Sequence, residues 1–461
     1  MHLDDAVTKR STLLISAVSS FLMPAMASSV NIALPSIGRD FGMDAVLLGW
    51  ITTAYLLAAA MFLVPAGRMA DILGRKKVFL WGTVIYTLVS LLLAVSPSGG
   101  FLIACRCLQG IGGSMTFGTS MAILTSVYPP GERGKAIGIT TAAVYLGLSL
   151  GPFLGGLLTQ QLGWRSIFYL NVPVGLFILA LTVRKLKGEW ADARGEKLDL
   201  TGSFLYGLTL LGVIYGFSSL PHLAGGLLIL MGLAGIFLFV KWETRADSPL
   251  LDIKLLRGNT AFIFSNLAAL INYSATFAVT FLLSLYLQYI KGLTPQNAGL
   301  ILVAQPAVMT VFALISGHLS DRIEPQVVAS VGMALTTIGL VLLVFLGPDT
   351  PLTLIVIALV ILGSGFGLFS SPNTNAVMSS VEKKSYGLAS AVLGTMRLVG
   401  QTFSMGIAML IFAVVIGRVK ISPDSYPLFL QSVRLAFILF AVLCAAGVAA
   451  SLARGKIRPA G

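Results

Sequence analysis

Two short polar stretches decide how this chain is organised: GRMADILGRKK at 67–77 and GHLSDRIEPQ at 317–326. Each opens on a glycine (Gly67, Gly317), sets an aspartate four residues later (Asp71, Asp321), and adds basic residues at or behind it: Arg75 and Lys76 in the first, Arg322 in the second. Each is also flanked by long apolar runs. Gly67 and Gly317 lie 250 residues apart, and Gly134 of GKAIGI lies 253 residues before Gly387 of GLASAV. Two nearly equal offsets mean that one unit occurs twice.

The material around these loops belongs in lipid. Of 461 residues, 56% are hydrophobic and only 11% charged, against about 25% charged in an average soluble domain. Mean hydropathy is +0.91. A helix needs about 20 apolar residues to cross the hydrocarbon. Stretches without Asp, Glu, Lys or Arg run over 11–38, 45–67, 78–105, 107–131, 136–164 and 166–183. Others cover 200–240, 258–290, 292–320, 325–348 and 350–381; 388–416 and 427–452 are interrupted only by Arg397 and Arg434. SSLPHLAGG splits 200–240 into a helical hairpin. The expectation is an all-α membrane protein of fourteen transmembrane helices, with six-helix bundles at 1–190 and 256–461 and an inserted hairpin with its linkers at 191–255. MHLDDAVTKR lacks a cleavage site, so the first span is expected to be retained.

The charge balance fits this arrangement. There are 31 Lys and Arg against 18 Asp and Glu, a net +13. With the N-terminus inside, Arg39, Arg165, Lys291, Arg418 and Lys420 fall outside and Arg106, Arg397 and Arg434 fall within spans; all other basic residues are cytoplasmic. That asymmetry predicts cytoplasmic N- and C-termini in the cell (inner) membrane and needs no nucleic-acid partner. Cys105, Cys107 and Cys444 sit in apolar runs and suggest neither a disulfide nor a metal framework. No cofactor and no metal are expected.

Further motifs make a resemblance specific. RCLQG (106–110) is followed by GLSLGPFLGG, from Gly147 to Gly156, and by WRSIFYLNVPVG (164–175); NIALPSI (31–37) and YLQYIKGLTPQNAG (286–299) complete the set. With the 67–77 loop, the chain resembles the major facilitator superfamily over nearly its whole length, and within it the fourteen-span drug/proton antiporter branch. The resemblance implies the major facilitator fold, two six-helix bundles plus two extra central helices. It also implies secondary transport by alternating access. The family pattern has Arg directly after the first-loop Asp; here that position is Ile72, although Arg322 follows Asp321.

Each motif also has a physical reading. Gly67, Asp71, Arg75 and Lys76, with Gly317, Asp321 and Arg322, would form charge latches at helix ends that hold one conformation closed; the alternative is a solvated loop anchor. Arg106 lies inside a span, where an unpaired cation costs at least about 2.5–3.5 kcal/mol, and shares a face with Gln109. The resemblance gives Arg106 and Gln109, with Arg397, a part in coupling or substrate orientation; a structural arginine bonded to carbonyls is equally open. Gly147, Gly151 and Gly155 recur every four residues, a close-packing face, beside Pro152 and Gly156; in the family this motif accompanies exporters. Asn31, Tyr55, Tyr145, Asn272, Gln305 and Gln401 are mid-span polar residues. Individually each could simply bond across helices; together they are the candidate cavity lining.

All 18 carboxylates fall in loops or at helix ends. Related cation exporters carry an acid five positions before the Asn of the NxALP run, and here that position is Met26. The leading expectation is proton-coupled export of hydrophobic or amphiphilic small molecules (multidrug or metabolite efflux) by a monomer among membrane lipids, with Asp71, Asp321 or Asp40 in coupling. The alternatives are potential-driven export of an organic anion steered by Arg106 and Arg397, and a non-transporting membrane sensor. An enzyme is not expected, since no nucleophile–base pair shares a face.

Overall fold

The computed structural model describes residues 2–246, 250, 259–320, 322–382, 386–417 and 419–455. Asp321 lies outside the described residues. Within them the chain is helical throughout. The first six helices are α1 (His2–Phe41), α2 (Ala45–Leu73), α3 (Arg75–Ala94), α4 (Gly99–Val127), α5 (Pro130–Leu162) and α6 (Arg165–Lys185). The hairpin is α7 (Leu200–Ser218) and α8 (Leu223–Glu243). The last six crossings comprise α9 (Thr260–Thr276) with α10 (Ala278–Leu285), α11 (Pro295–Leu302) with α12 (Ala304–Ser320), then α13 (Pro325–Val344), α14 (Leu352–Ser379), α15 (Tyr386–Val415) and α16 (Tyr426–Ala453).

Thirteen segments among the described residues are long and apolar enough to span a bilayer. The remaining crossing is α4, 29 residues long, whose Gly, Ser and Thr content, with Arg106 and Gln109, makes it less apolar than its neighbours. Its length still suffices at 1.5 Å per residue. Two of the spans are capped at their N-terminal ends by side chains: Asp44 accepts from the Leu47 amide (2.8 Å) and Ser98, inside the 78–105 run, from that of Phe101 (3.3 Å).

The 258–290 stretch is not one regular helix. It breaks at Phe277 and ends in a π-helical turn over Tyr286–Ile290. At the break the Ser404 hydroxyl of α15 accepts from the Ala278 amide at 3.0 Å, so a neighbouring helix satisfies the freed donor. Such a break depends on a residue 126 positions away and leaves no local signal.

The first six helices and α9–α16 meet chiefly at the end remote from the chain termini. There Ser284 Oγ donates to the Asn31 carbonyl (2.8 Å) and Gln288 Nε2 to that of Ile32 (2.9 Å). Gly49 presses on Met409, and the Ala45 amide reaches the Val419 carbonyl at 3.4 Å. Toward the termini, by contrast, Gly67, Gly134 and Gly138 have open space beside them. In the hairpin, α7 lies in the seam between α2 and α15: Tyr206 donates to the Ala60 carbonyl (3.0 Å), Trp50 and Tyr215 stack at 5.6 Å, and Phe217 meets Phe403 edge-on at 6.0 Å. The outer helix α8 exposes Leu230, Met231 and Phe237, as a lipid-facing helix must.

Candidate functional site

The first loop motif forms a network, but with partners that its own sequence does not contain. Asp71 accepts from Arg75 Nε (3.1 Å) and Nη2 (2.8 Å). Arg75 also donates to Ser126 at the end of α4 (2.6 Å) and to Asp192 (2.6 Å) in the linker after α6. That linker lies along the loop: Arg75 N donates to the Trp190 carbonyl (2.8 Å), Ala193 N to that of Asp71 (3.0 Å), and Lys76 N to Glu189 (2.8 Å). Arg68 pairs with Glu196, and Lys76 Nζ binds the Leu186 carbonyl at 2.5 Å. Arg75 and Lys76 are therefore held by the linker, not spread on a lipid surface. The acid cluster Glu189, Asp192 and Glu196 is the signal that could have shown it.

The second loop is built differently. A Cβ at Gly317 would meet the Ser371 hydroxyl at an ordinary 3.5 Å, and Arg322 is exposed. The buried cation at this end is Arg454, just past α16 and 2% exposed. It donates to Asn373 Oδ1 (3.1 Å), Ser265 Oγ (3.4 Å), Ser451 Oγ (2.8 Å) and the Ser451 carbonyl (3.1 Å), tying α9, α14 and α16 together. Burial pulls its pKa down to about 10, with Glu324 opposing, so it stays charged at neutral pH. Nothing in its flanking sequence separates it from the other basic residues at that end.

The two span arginines part company. Arg106 is 1% exposed. Nε donates to the Ile51 carbonyl (3.0 Å), Nη1 to Gln109 Oε1, and the guanidinium lies 4.4 Å from the Tyr55 ring centroid. Gln109 Nε2 in turn donates to Ser90 Oγ (2.9 Å). Helices α2, α3 and α4 are thereby joined by one polar chain. Gly110 allows it, because a Cβ there would strike the Tyr55 carbonyl.

Arg397 is only half-buried. Nη2 donates to Thr374 on α14 (2.7 Å), the Tyr273 ring of α9 is 5.8 Å away, and Nε is buried without a partner. Tyr273 meets Phe366 edge-on at 5.2 Å. Tyr145 of α5 is within hydrogen-bonding reach of Ser370 on α14 and feels the charge of Arg397, so the two six-helix sets approach one another here. Gln401 is one turn from Arg397 on the same helix face and is half-buried.

The glycine motif divides its work. On α5, Gly147, Gly151 and Gly155 all press on α1: a Cβ would meet the Phe21 carbonyl, the Ala25 carbonyl (2.7 Å) and Ser29 Cα (2.5 Å) in turn. Ser29 Oγ donates to the Gly151 carbonyl across the gap (2.8 Å). Gly156 faces away from α1, against Pro295 and Gln296 of α11, while the Pro152 carbonyl packs on Gly299. This end of the motif belongs to the contact between the two helix sets.

The polar candidates do not form one lining. Asn31 is spent between helices, its Oδ1 accepting from Thr52 at 3.0 Å. Tyr55 covers Arg106. Asn272 is 0% exposed, with neither side-chain atom partnered within the described residues. Gln305 is half-buried with its carbonyl against Gly363, apart from Arg397's group. Met26, 4% exposed, accepts from Asn171 Nδ2 of α6 at 2.8 Å, so that position faces the interior of the first helix set.

Twelve packed crossings in two sets, a hairpin between them and a polar cluster where the sets meet define a membrane transporter fold. The chain matches the family description Major Facilitator Superfamily over residues 16–405 and again over 265–460. It is 30% identical over 399 residues to the riboflavin transporter RibZ of Clostridioides difficile, covering 86% of each chain. It is 31% identical over 406 residues to the multidrug resistance protein Stp of Mycobacterium tuberculosis, covering 87% of this chain and 75% of that one. A bacterial homolog of the human lysosomal transporter Spinster, solved inward-facing and unoccupied, superposes with a TM-score of 0.68 at 15% identity, covering 98% and 97% of the two chains. The chain belongs to the major facilitator superfamily.

Proposed function

We propose that this protein is a secondary active exporter of hydrophobic or amphiphilic small molecules, proton-coupled and working by alternating access. It would sit as a monomer in the cell (inner) membrane with both termini cytoplasmic. The observation that carries this reading is the uneven seam: small-residue and single hydrogen-bond contacts close the end remote from the termini, while the other end is loosely joined. Contacts of that kind can be exchanged for others at modest cost, as a rocking transporter requires. The relation to Stp, a multidrug resistance protein, supports efflux; RibZ, a riboflavin transporter, keeps planar heteroaromatic cargo in view.

We assign residues 1–190 and 256–461 to the two rocking bundles and 191–255 to the hairpin with its linkers. We assign proton carriage to Asp71 or Asp40 among the described residues; Asp40 Oδ2 accepts from Arg165 (2.7 Å) and Trp164 (3.1 Å). The test is transport in proteoliposomes under a pH gradient or a pure potential, with neutral, cationic and anionic probes. Transport driven by the pH gradient supports the assignment. Transport of an anion by potential alone would favour the second reading, export of an organic anion, for which Arg397's unpartnered Nε is the specific observation.

A further inference from the structure

We infer that Arg397 is the group that recognises the substrate's charge, and that the preferred cargo carries a carboxylate or similar anion attached to a flat aromatic body. The inference rests on the export reading above and deepens it. Four observations converge. Arg397 is a cation within a span, half-buried, with no ion-pair partner among the described residues. Among the described residues its one hydrogen bond, to the Thr374 hydroxyl, uses a single guanidinium nitrogen, and Nε is shielded from solvent with nothing to donate to. An arginine in a low-dielectric setting wants a planar two-oxygen acceptor, which it meets with two parallel hydrogen bonds. A carboxylate supplies both.

The surroundings specify the rest of the ligand. The Tyr273 ring lies 5.8 Å from the guanidinium and packs edge-to-face on Phe366, and Tyr145 of α5 is within hydrogen-bonding reach of Ser370. These two rings, Tyr273 and Phe366, offer stacking surface to a flat ring system, and the Tyr145 hydroxyl adds a polar group from the other helix set. Arg106 is met more fully: Ile51 and Gln109 accept from two of its nitrogens and Tyr55 covers its face, in a site 1% exposed. Among the described residues the carboxylates lie in loops or at helix ends, so an organic cation finds none of them at this depth. Because Tyr145 and Arg397 belong to opposite helix sets, a ligand held between them touches both and can bias their relative position.

The test uses the purified full chain in proteoliposomes, measuring counterflow so that the driving ion plays no part. The probes are naphthalene-1-acetate, its neutral amide and the naphthylmethyl-trimethylammonium cation. Wild type is expected to move the carboxylate best and the cation least. Arg397→Gln should lower the carboxylate-to-amide ratio about tenfold, the loss of one charge-assisted hydrogen-bonded contact, with amide counterflow little changed. Arg397→Lys should retain part of the preference, since the charge stays and the planar fork goes. Equal loss of both probes in Arg397→Gln, with Arg397→Lys restoring both equally, would make the residue structural and overturn the inference. Preference for the cation, or for the amide over the carboxylate, would overturn it while leaving the export reading intact. Failure of wild type to move any probe would count against the export reading itself, and the inference would fall with it.

Discussion

Arg106 and Arg397 are both arginines in the middle of apolar helices, and the protein treats them in opposite ways. Around Arg106, two acceptors and a ring are already aimed at it: the Ile51 carbonyl, Gln109 Oε1 and the face of Tyr55. Around Arg397 the chain supplies one hydroxyl, two aromatic rings and an unused donor. The first cation is solvated by the protein and so acts as structure. The second is solvated incompletely, which leaves interaction energy for something that arrives later. A charged residue in a span therefore marks function by what it lacks, and burial alone does not distinguish the two cases.

The largest expected effect would break this comparison at its structural end. Arg106→Ala should destabilise the protein by roughly 2–4 kcal/mol, because Gln109 and the Ile51 carbonyl lose their partner in a dry site and a cavity opens. Thermal unfolding in detergent, followed by size-exclusion chromatography, measures it. Arg397→Ala should cost less, about 1 kcal/mol on the same assay, since one hydrogen bond from a half-exposed guanidinium to a hydroxyl is lost. Equal losses would erase the distinction.

A second contrast lies within α5. Gly151→Leu should unseat α5 from α1, an overpacking of about 1–3 kcal/mol, because the Ala25 carbonyl and Ser28 Cβ both lie 2.7 Å from the space needed. Gly156→Leu should leave the first helix set folded but wedge it from Pro295 and Gln296, opening the remote seam. Spin-label distances between α5 and α11 would lengthen in Gly156→Leu and in a folded Gly151→Leu would not.

Smaller still is the latch. Asp71→Asn keeps the side chain's shape but weakens its hold on Arg75, which Asp192 and Ser126 also grip. It should slow exchange between the two transporter states with substrate affinity changed less than about threefold, in line with an exposed pair worth under about 1 kcal/mol. Transport rate against binding affinity separates the two. Glu196→Gln, which touches only Arg68 at the surface, should change stability by no more than about 0.5 kcal/mol. A large effect would mean that the linker, and not the loop motif, carries the latch.

The two helix sets also differ in how they hold charge at the end near the termini. Arg75 is met by carboxylates at the surface, whereas Arg454 is met by hydroxyls and an amide in a buried cradle. Internal repetition preserved the helices while the local solution diverged. The missing Arg at Ile72 fits this divergence: in the first loop Arg75 bonds both to Asp71 and to Asp192 beyond it.

The chain's order along itself was enough for much of this. Long charge-free runs, the paired loops at Gly67 and Gly317, and glycines every four residues are properties of neighbouring positions, and lipid leaves a polar backbone little choice except helix. The number of spans, the doubled unit and a close-packing face on α5 follow from them, though not that α1 is what packs there. What tertiary structure decided was which polar side chains meet. The docking of Asp192 on Arg75, the cap that Ser404 gives Ala278, the cradle around Arg454, and the occupied Arg106 against the receptive Arg397 each join residues far apart in the chain or depend on what is absent nearby. A hydrogen bond reaches about 3 Å, so its existence depends on a spatial coincidence that no helical period encodes.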